Sequence, residues 1–208
     1  YIGEYVEQSP LGKAEWLVAI GEMFDKRELA EEIFSGIEAE YVSVRDSVAQ
    51  YCEFQRMISS SGRDMRPEVM LNAPWRDTWF VPGDRSYMVR LINDAGGLYV
   101  ARGDDSERSR PLSAESAFVM ASRSDVWIGP GQAGTLAEVR SLNTRLKEIP
   151  AVANGRVYNT TARSTPDGGS DFWESGALRA DIVLKDFVKI LQPGLLPGHE
   201  FYYIKHLQ

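Results

Sequence analysis

Apolar and polar positions along the chain fall into their longest register after Asp25. Leu29, Ile33, Ile37, Tyr41, Val44, Val48 and Cys52 step by four, four, four, three, four and four, the one-sided stripe of an amphipathic helix. No proline interrupts the pattern before Ile58, so at 1.5 Å per residue it predicts a helix on the order of 50 Å long. Asp25, followed three residues later by Glu28, has the spacing of a capping box at its head. The stripe contains polar gaps and no strict heptad, which argues against a coiled coil. A spine leading from one lobe into another is the expectation. Ahead of it, Ser9-Pro10 reads as an N-cap and first helical residue, with Trp16, Leu17 and Ile20 at helical spacing behind them.

The pattern then changes period. "SSSGRD" (59–64) reads as a hinge-like connection, and short apolar runs alternate with helical ones from there on. "EVMLNA" (68–73), "LYVA" (98–101), "DVWIG" (125–129) and "GRVYN" (155–159) predict strands. "RSYMVRLINDA" (85–95), "SAESAFVMAS" (113–122, capped by Ser113), "TLAEVRSL" (135–142) and "ESGALRADIVLKDFVKIL" (174–191) predict helices. Strands alternating with helices imply a layered α/β domain with a largely parallel sheet.

Composition narrows the function. The chain has 208 residues, 43% hydrophobic and 25% charged, and carries a net charge of −7, with a pI near 5.0 and a mean hydropathy of −0.30. An acidic balance argues against general nucleic-acid binding, which needs a basic face. The charge is concentrated early: residues 1–58 hold 12 Asp/Glu against 5 Lys/Arg, and the remainder holds 18 of each. Cys52 is the only cysteine, so neither an internal disulfide nor a thiolate metal cluster can form, and its apolar helical position suits packing. His199 and His206 are the only histidines, which excludes a multi-histidine metal site. The chain opens on Tyr1 with no basic or apolar leader and reads as a fragment or processed product.

Two features bear on chemistry. "GPGQAG" (129–134) has the G-x-G-x-x-G form after a strand and before a helix, as a dinucleotide phosphate turn would. It sits on a late strand, contains Pro130, and no acid ends the next strand to hold a ribose; an ordinary strand-to-helix turn is the competing reading. The other feature is "NAPWRDTWFVPGDRSYM" (72–88), where Trp75, Arg76 and Trp79 crowd a segment punctuated by Pro74, Pro82 and Gly83. That is loop chemistry carrying aromatic and cationic side chains. Tyr158, Arg163 and Trp173 also fall in loops or at strand ends, where α/β sheets bind ligands. Together the six form a candidate ligand site; Trp79, which leads into the apolar Phe80-Val81 pair, is equally suited to plug a core. "DGGSD" (167–171) lacks the spacing and closing glutamate of a calcium loop. No G-x-S-x-G, H-E-x-x-H or P-loop occurs, so no catalytic, cofactor or metal residue is assigned.

"SPLGKAEWLVAIGEMF", "EEIFSGIEAEY", "LNAPWRDTWFVPGDRSYMVRLINDAGG" and "NGRVYNTTARSTPDGGSDFWESGALRADIVLKDFVKILQPGLLP" together resemble one family. It is that of the substrate-binding proteins of ABC importers for iron-siderophores, haem and cobalamin, in its Bacteroidetes-type branch. The resemblance covers nearly the whole chain. It implies a class III periplasmic binding fold: two three-layer α/β lobes joined by one long helix, with ligand in the cleft between them. It implies that residues 1–24 end an N-terminal lobe lying ahead of Tyr1, that 25–58 form the interlobe spine, and that 59–208 form the C-terminal ligand-binding lobe. The spine's stripe would then pack partly on the other lobe.

By the same resemblance the tryptophan-bearing loop and "ARSTPDGGSDFWESG" face the cleft, so Trp75, Arg76 and Trp79 form one wall and Arg163 and Trp173 approach from the neighbouring loop. The family's P-L-S-x-E block matches Pro111, Leu112, Ser113 and Glu115, and implies that Glu115 docks onto an arginine of the permease; by position it also reads as an N3 capping acid under Ser113. Asp77 and Asp84 stand where the family has small residues, which leaves the choice of chelate open. The implied protein is non-enzymatic and periplasmic. It meets a membrane only through its permease or through a lipid anchor outside this chain, with a metal chelate as ligand and no cofactor of its own. The rival is a nucleotide-dependent oxidoreductase using the GPGQAG turn.

Overall fold

The computed structural model describes residues 3–59 and 64–208. After a short 3-10 turn at Glu4–Val6, α1 (Pro10–Met23) begins as expected: Ser9 Oγ accepts the Gly12 amide at 3.2 Å, and Pro10 takes the first helical position. α2 (Arg27–Ile58) is the long helix, 32 residues, or about 48 Å. Its cap differs from the Asp25–Glu28 box. Asp25 lies in the left-handed region (φ 55), and Lys26 is the N-cap without a side-chain bond. Asp25 is taken up by a tight turn in which the Lys26 amide reaches back to the Gly21 carbonyl at 2.8 Å. Gly21 lets α1 and α2 approach closely, since a Cβ there would stand 2.5 Å from that of Ala30. Of the stripe, Ile37, Tyr41, Val44 and Val48 are buried and Cys52 is half-buried, whereas Leu29 and Ile33 near its start are exposed, as are Met57 and Ile58 beyond its end. The connection expected at 59–64 falls, over residues 60–63, outside the described residues. No described helix is long and apolar enough to cross a membrane.

Beyond it the chain forms β1 (Glu68–Leu71), β2 (Pro74–Trp75), β3 (Thr78–Val81), α3 (Tyr87–Asp94), β4 (Leu98–Tyr99), β5 (Arg110–Ser113), α4 (Ala114–Ala121), β6 (Val126–Ile128), α5 (Leu136–Leu142), α6 (Pro150–Ala153), β7 (Val157–Asn159), α7 (Ser175–Leu178), α8 (Ala180–Leu191) and β8 (Lys205–His206). The main sheet runs β4-β1-β6-β7-β8. Its first four strands are parallel, and β8 returns antiparallel to β7. Val126, Trp127 and Ile128 are fully buried, as are Val69, Met70 and Leu71, because a parallel sheet is covered on both faces and its strands read as continuous apolar runs. α2, α3 and α8 pack against one another, and α4 and α6 pack against β1 and β6 respectively. The result is a three-layer α/β lobe with a long helix leading into it.

Three elements depart from the sequence reading. The tryptophan-bearing segment is no loop: β2 and β3 form a hairpin whose second strand pairs with β5, making a small antiparallel sheet beside the main one. Its two-residue turn places Arg76 at φ 54, a position normally given to Gly or Asn, so the turn carries no sequence signature; Pro74 is tolerated on the edge strand. The helix expected over 174–191 breaks at Arg179 (φ −103, ψ 55). Asp181, 4% exposed in the first turn of α8, is met there by Arg179 Nε and Nη2 at 2.9 and 2.8 Å, a fork that helical spacing two residues apart would not allow. Finally, the segment ahead of β8 is organised by Asp186 on α8. This carboxylate is wholly buried and accepts the Tyr203 amide at 2.7 Å, the Ile204 amide at 3.2 Å, the Tyr202 amide at 3.1 Å and His199 Nε2 at 2.6 Å.

α2 is tied to α3 through Tyr41, whose hydroxyl donates to Asp94 Oδ2 at 2.5 Å. Burial pushes the Asp94 carboxyl above the ordinary carboxylate range, and the Tyr41 bond offsets this only in part. An acid raised by folding contributes stability that is complete below its unfolded value, near 3.9, and is lost as pH rises through its folded value. Asp94→Asn keeps an acceptor for Tyr41 and removes the titration. Its melting temperature relative to wild type should therefore climb as pH is raised from about 4 towards neutrality. A gap between the two proteins that stays constant with pH would show that Asp94 does not carry this cost.

Candidate functional site

The carboxyl ends of β1, β6 and β7 open on one cleft of about 630 Å³, where parallel sheets present ligands to backbone and loop groups. Asn72 (φ 63) and Gly129 (φ 73) turn the chain sharply as β1 and β6 end. The floor is fixed by side-chain bonds to backbone: Trp127 Nε1 to Asn72 O at 2.6 Å, Asn72 Nδ2 to Phe80 O at 2.9 Å, and Asn159 Nδ2 to Gly131 O at 2.9 Å and Ala133 O at 3.1 Å. The walls are the start of α3, Trp173, and the N-terminal stretch that includes Tyr5 and Gln8. Lys13 also lines the cleft. Its ammonium is committed to Glu4, to Oε1 at 2.9 Å and to the carbonyl at 3.0 Å, and lies 5.8 Å from the Tyr87 ring centre. A somewhat larger groove of about 720 Å³ follows α2 near Cys52. It lies beside residues 64–66 and away from the strand ends, and gathers no comparable set of strand-end groups.

The six candidate residues divide. Trp173 is half exposed, lines the cleft, and packs on Phe172 and Tyr87 at ring distances of 4.7 and 6.0 Å. Trp75 is 63% exposed at the hairpin, with the Arg76 guanidinium 4.5 Å over its ring. Arg163 pairs with Asp171 at 2.6 Å and lies 4.5 Å over the Tyr202 ring; this bond, helped by Ser175, holds the Asp171 carboxyl below its ordinary range. Trp79 and Tyr158 are core residues. Trp79 is 1% exposed, donates Nε1 to Leu71 O at 2.9 Å and packs on Trp127 at 5.4 Å, so the inward face of β3 gives it no access to a ligand. Tyr158 is buried and stacked on His206 at 4.7 Å, covered by β8, an element the sequence reading missed. Burial raises its phenol.

The GPGQAG turn leads into α5, and several backbone donors around it are engaged by the chain itself. The Gly134 amide goes to Glu138 Oε2 at 2.7 Å, the Leu136 amide to Gln208 O at 3.1 Å, and the Glu138 amide to Thr135 Oγ1 at 3.2 Å. A carboxylate of the chain itself meets the Gly134 amide ahead of α5, and the nucleotide reading has no support. Glu115 is exposed on the first turn of α4. The capping partner of Ser113 is Ser116, whose amide reaches Ser113 Oγ at 3.2 Å. Glu115 is therefore at N2, not N3, and its carboxylate makes no hydrogen bond or ion pair among the described residues. Among those residues no group of three or more His, Cys, Asp or Glu could hold a metal ion. Sequence reasoning missed Asn72, Ser86 and Tyr87. The one signal for the last two was that the helix at 85–95 begins after the hairpin leaving β1, at the ligand end of the sheet.

Residues 5–164 match the periplasmic binding protein family. An uncharacterized lipoprotein of Methanocaldococcus jannaschii is 24% identical over 203 residues, which cover 96% of this chain and 44% of that protein. This chain thus spans about half the length of the curated relatives it matches. Among solved structures, the TroA-like periplasmic binding protein FepB of Veillonella parvula superposes with a TM-score of 0.64 at 16% identity, over 95% of this chain and 62% of that one. A possible iron-binding periplasmic solute-binding protein of Staphylococcus epidermidis does so with a TM-score of 0.60 at 18% identity, over 88% and 63%. At these identities the structures show a shared fold, one with a long helix and an α/β lobe. With the family match extending over most of the sequence, the chain is a member of the periplasmic binding protein family.

Proposed function

We propose that this chain is the ligand-binding lobe and spine of a non-enzymatic, periplasmic-side solute-binding component of an ABC importer, and that its ligand is a metal chelate of the iron-siderophore, haem or cobalamin kind. In this reading residues 25–58 are the interlobe spine, 59–208 the C-terminal lobe, and 1–24 the end of a preceding lobe. The observation that carries it is the cleft at the carboxyl ends of β1, β6 and β7, with Trp173 on its wall, in a chain of this family. Exposed Trp75 and Arg76 add a flat apolar face and a guanidinium at the hairpin, suited to a ring system bearing carboxylate or phenolate oxygens. Arg163, whose charge is taken up by Asp171, lies outside the cleft lining. Two structural relatives, a haem-binding protein crystallised with two haems and a haem complex from S. aureus, support the choice of ligand class.

Intrinsic fluorescence titration of the full-length protein with ferric siderophores, haem, cobalamin and, as a control, NADPH tests the reading. Saturable quenching by at least one chelate and none by NADPH is expected. A response to NADPH alone, or to no chelate, sinks it.

Glu115, exposed at a helix start with its carboxylate unpaired, is proposed to meet a cation of the permease. Rim charges tune association and orientation more than they hold a ligand elsewhere. Glu115→Ala should leave ligand affinity within about twofold of wild type and reduce uptake by reconstituted transporter about tenfold, the equivalent of one charged contact. Parallel losses in affinity and uptake would move Glu115 into the ligand site.

A further inference from the structure

The start of α3 is built as though a partner were to sit on it. Ser86 is the N-cap, with the backbone geometry of one (φ −70, ψ 156), yet its hydroxyl caps nothing. The amides of Met88 and Val89, orphan donors of the first turn, make no hydrogen bond among the described residues. Ser86 Oγ and the Tyr87 hydroxyl are both withdrawn from solvent and have no partner, on residues 8% and 4% exposed. Buried hydroxyls are almost always bonded, and each exception calls for an explanation. Both residues, with Met88, line the cleft.

The neighbouring groups show what this end of the helix accepts. The Tyr87 amide already takes a side-chain carbonyl, Gln8 Oε1, at 3.1 Å. The Lys13 charge is balanced by Glu4, and Glu107, also on the cleft, is exposed to solvent. Burial holds the Tyr87 phenol far above its ordinary range, so it remains a proton donor. Two amides and two hydroxyls without partners thus belong to the cap and first turn of α3, where the helix dipole is positive.

We propose that the N-terminus of α3 is a subsite for a carboxylate oxygen of the bound molecule, held by the Met88 and Val89 amides and the Ser86 and Tyr87 hydroxyls. It deepens the reading of the cleft as the ligand site and selects, among chelates, those with free carboxylates. The subsite commits no residue to the metal itself.

Citrate, a small tricarboxylate, serves as the probe. In ¹⁵N–¹H spectra of the chain, the Met88 and Val89 resonances should shift along a saturating curve as citrate is added. Tyr87→Phe and Ser86→Ala should each weaken that binding about five- to tenfold, the scale of one hydrogen bond. Both variants should melt at or above the wild-type temperature without ligand, because each removes an unsatisfied buried hydroxyl. That pairing of weaker binding with undiminished stability separates a ligand role from a structural one, which would lower the melting temperature. Amides unmoved by citrate, or citrate affinity unchanged in both variants, would overturn the proposal. Citrate binding with no response to any metal chelate would sustain the subsite and defeat the chelate reading. Chelate binding with unmoved amides would do the reverse.

Discussion

Asp186→Asn should destabilise the lobe by about 3 kcal/mol, a fall of roughly 6–12 °C in melting temperature for a chain of this size. The change is nearly isosteric, so packing does not explain the loss. The two oxygens of Asp186 receive three consecutive backbone amides and His199, and the carboxylate has no exposure. Asparagine keeps one acceptor and turns an amino group towards donors, leaving at least one buried amide unpaired at a cost of about 1–3 kcal/mol on top of the lost charged bonds. The damage should be local first. Amides 202–204 and the β8 strand should lose hydrogen-exchange protection before the remainder of the sheet. A variant within 1 kcal/mol of wild type would show that the 199–204 segment is held by its aromatic packing and not by the carboxylate.

The second large effect separates two tryptophans four residues apart. Trp79→Ala should cost about 3–5 kcal/mol, since it empties a fully buried site against Trp127 and strands the Leu71 carbonyl. Trp75→Ala, at 63% exposure, should stay within about 0.5 kcal/mol of wild-type stability. Ligand affinity should respond in the opposite order: a loss of about 1 kcal/mol for Trp75→Ala, and little change per folded molecule for Trp79→Ala. Denaturant unfolding alongside chelate titration reads both quantities. Equal stability losses at the two positions would contradict the alternation of faces along the β2–β3 hairpin.

That pair also shows what could and could not be read from the chain. Elements defined by burial periodicity were legible: the long helix from its stripe, the parallel strands from unbroken apolar runs, and the caps at Ser9 and Ser113 from residue type. The hairpin was not, because Arg76 takes a positive φ that glycine or asparagine usually signals, and the segment consequently looked like a loop. Once it is a strand, alternation sends Trp79 inward. Tyr158 was misplaced for a related reason: β8 is two residues long and far away in sequence, and nothing local to "GRVYN" announces it. The break at Arg179 depends on an ion pair with Asp181 that only the folded chain brings into line. The exposed positions of Trp173 and Glu115 agree with their place in the family's pattern, whereas Ser86 and Tyr87 gain meaning only from partners they lack.

The anchoring of α2 has a mechanical consequence. Besides the contact of Ala30 with α1 near its start, the lobe buries this 32-residue helix along Ile37 to Val48 and leaves apolar side chains exposed near both ends, so it sits like a beam gripped mainly at mid-span. A tilt of about 5° at the clamp carries each tip through about 2 Å, since each arm is about 24 Å long. That is enough to separate a hydrogen-bonded pair at the tip, while atoms close to the clamp move by a few tenths of an ångström, within the play of a packed core. Rotation too slight to disturb the packing around Tyr41 is thus magnified at the beam's ends, with the gain set by helix length.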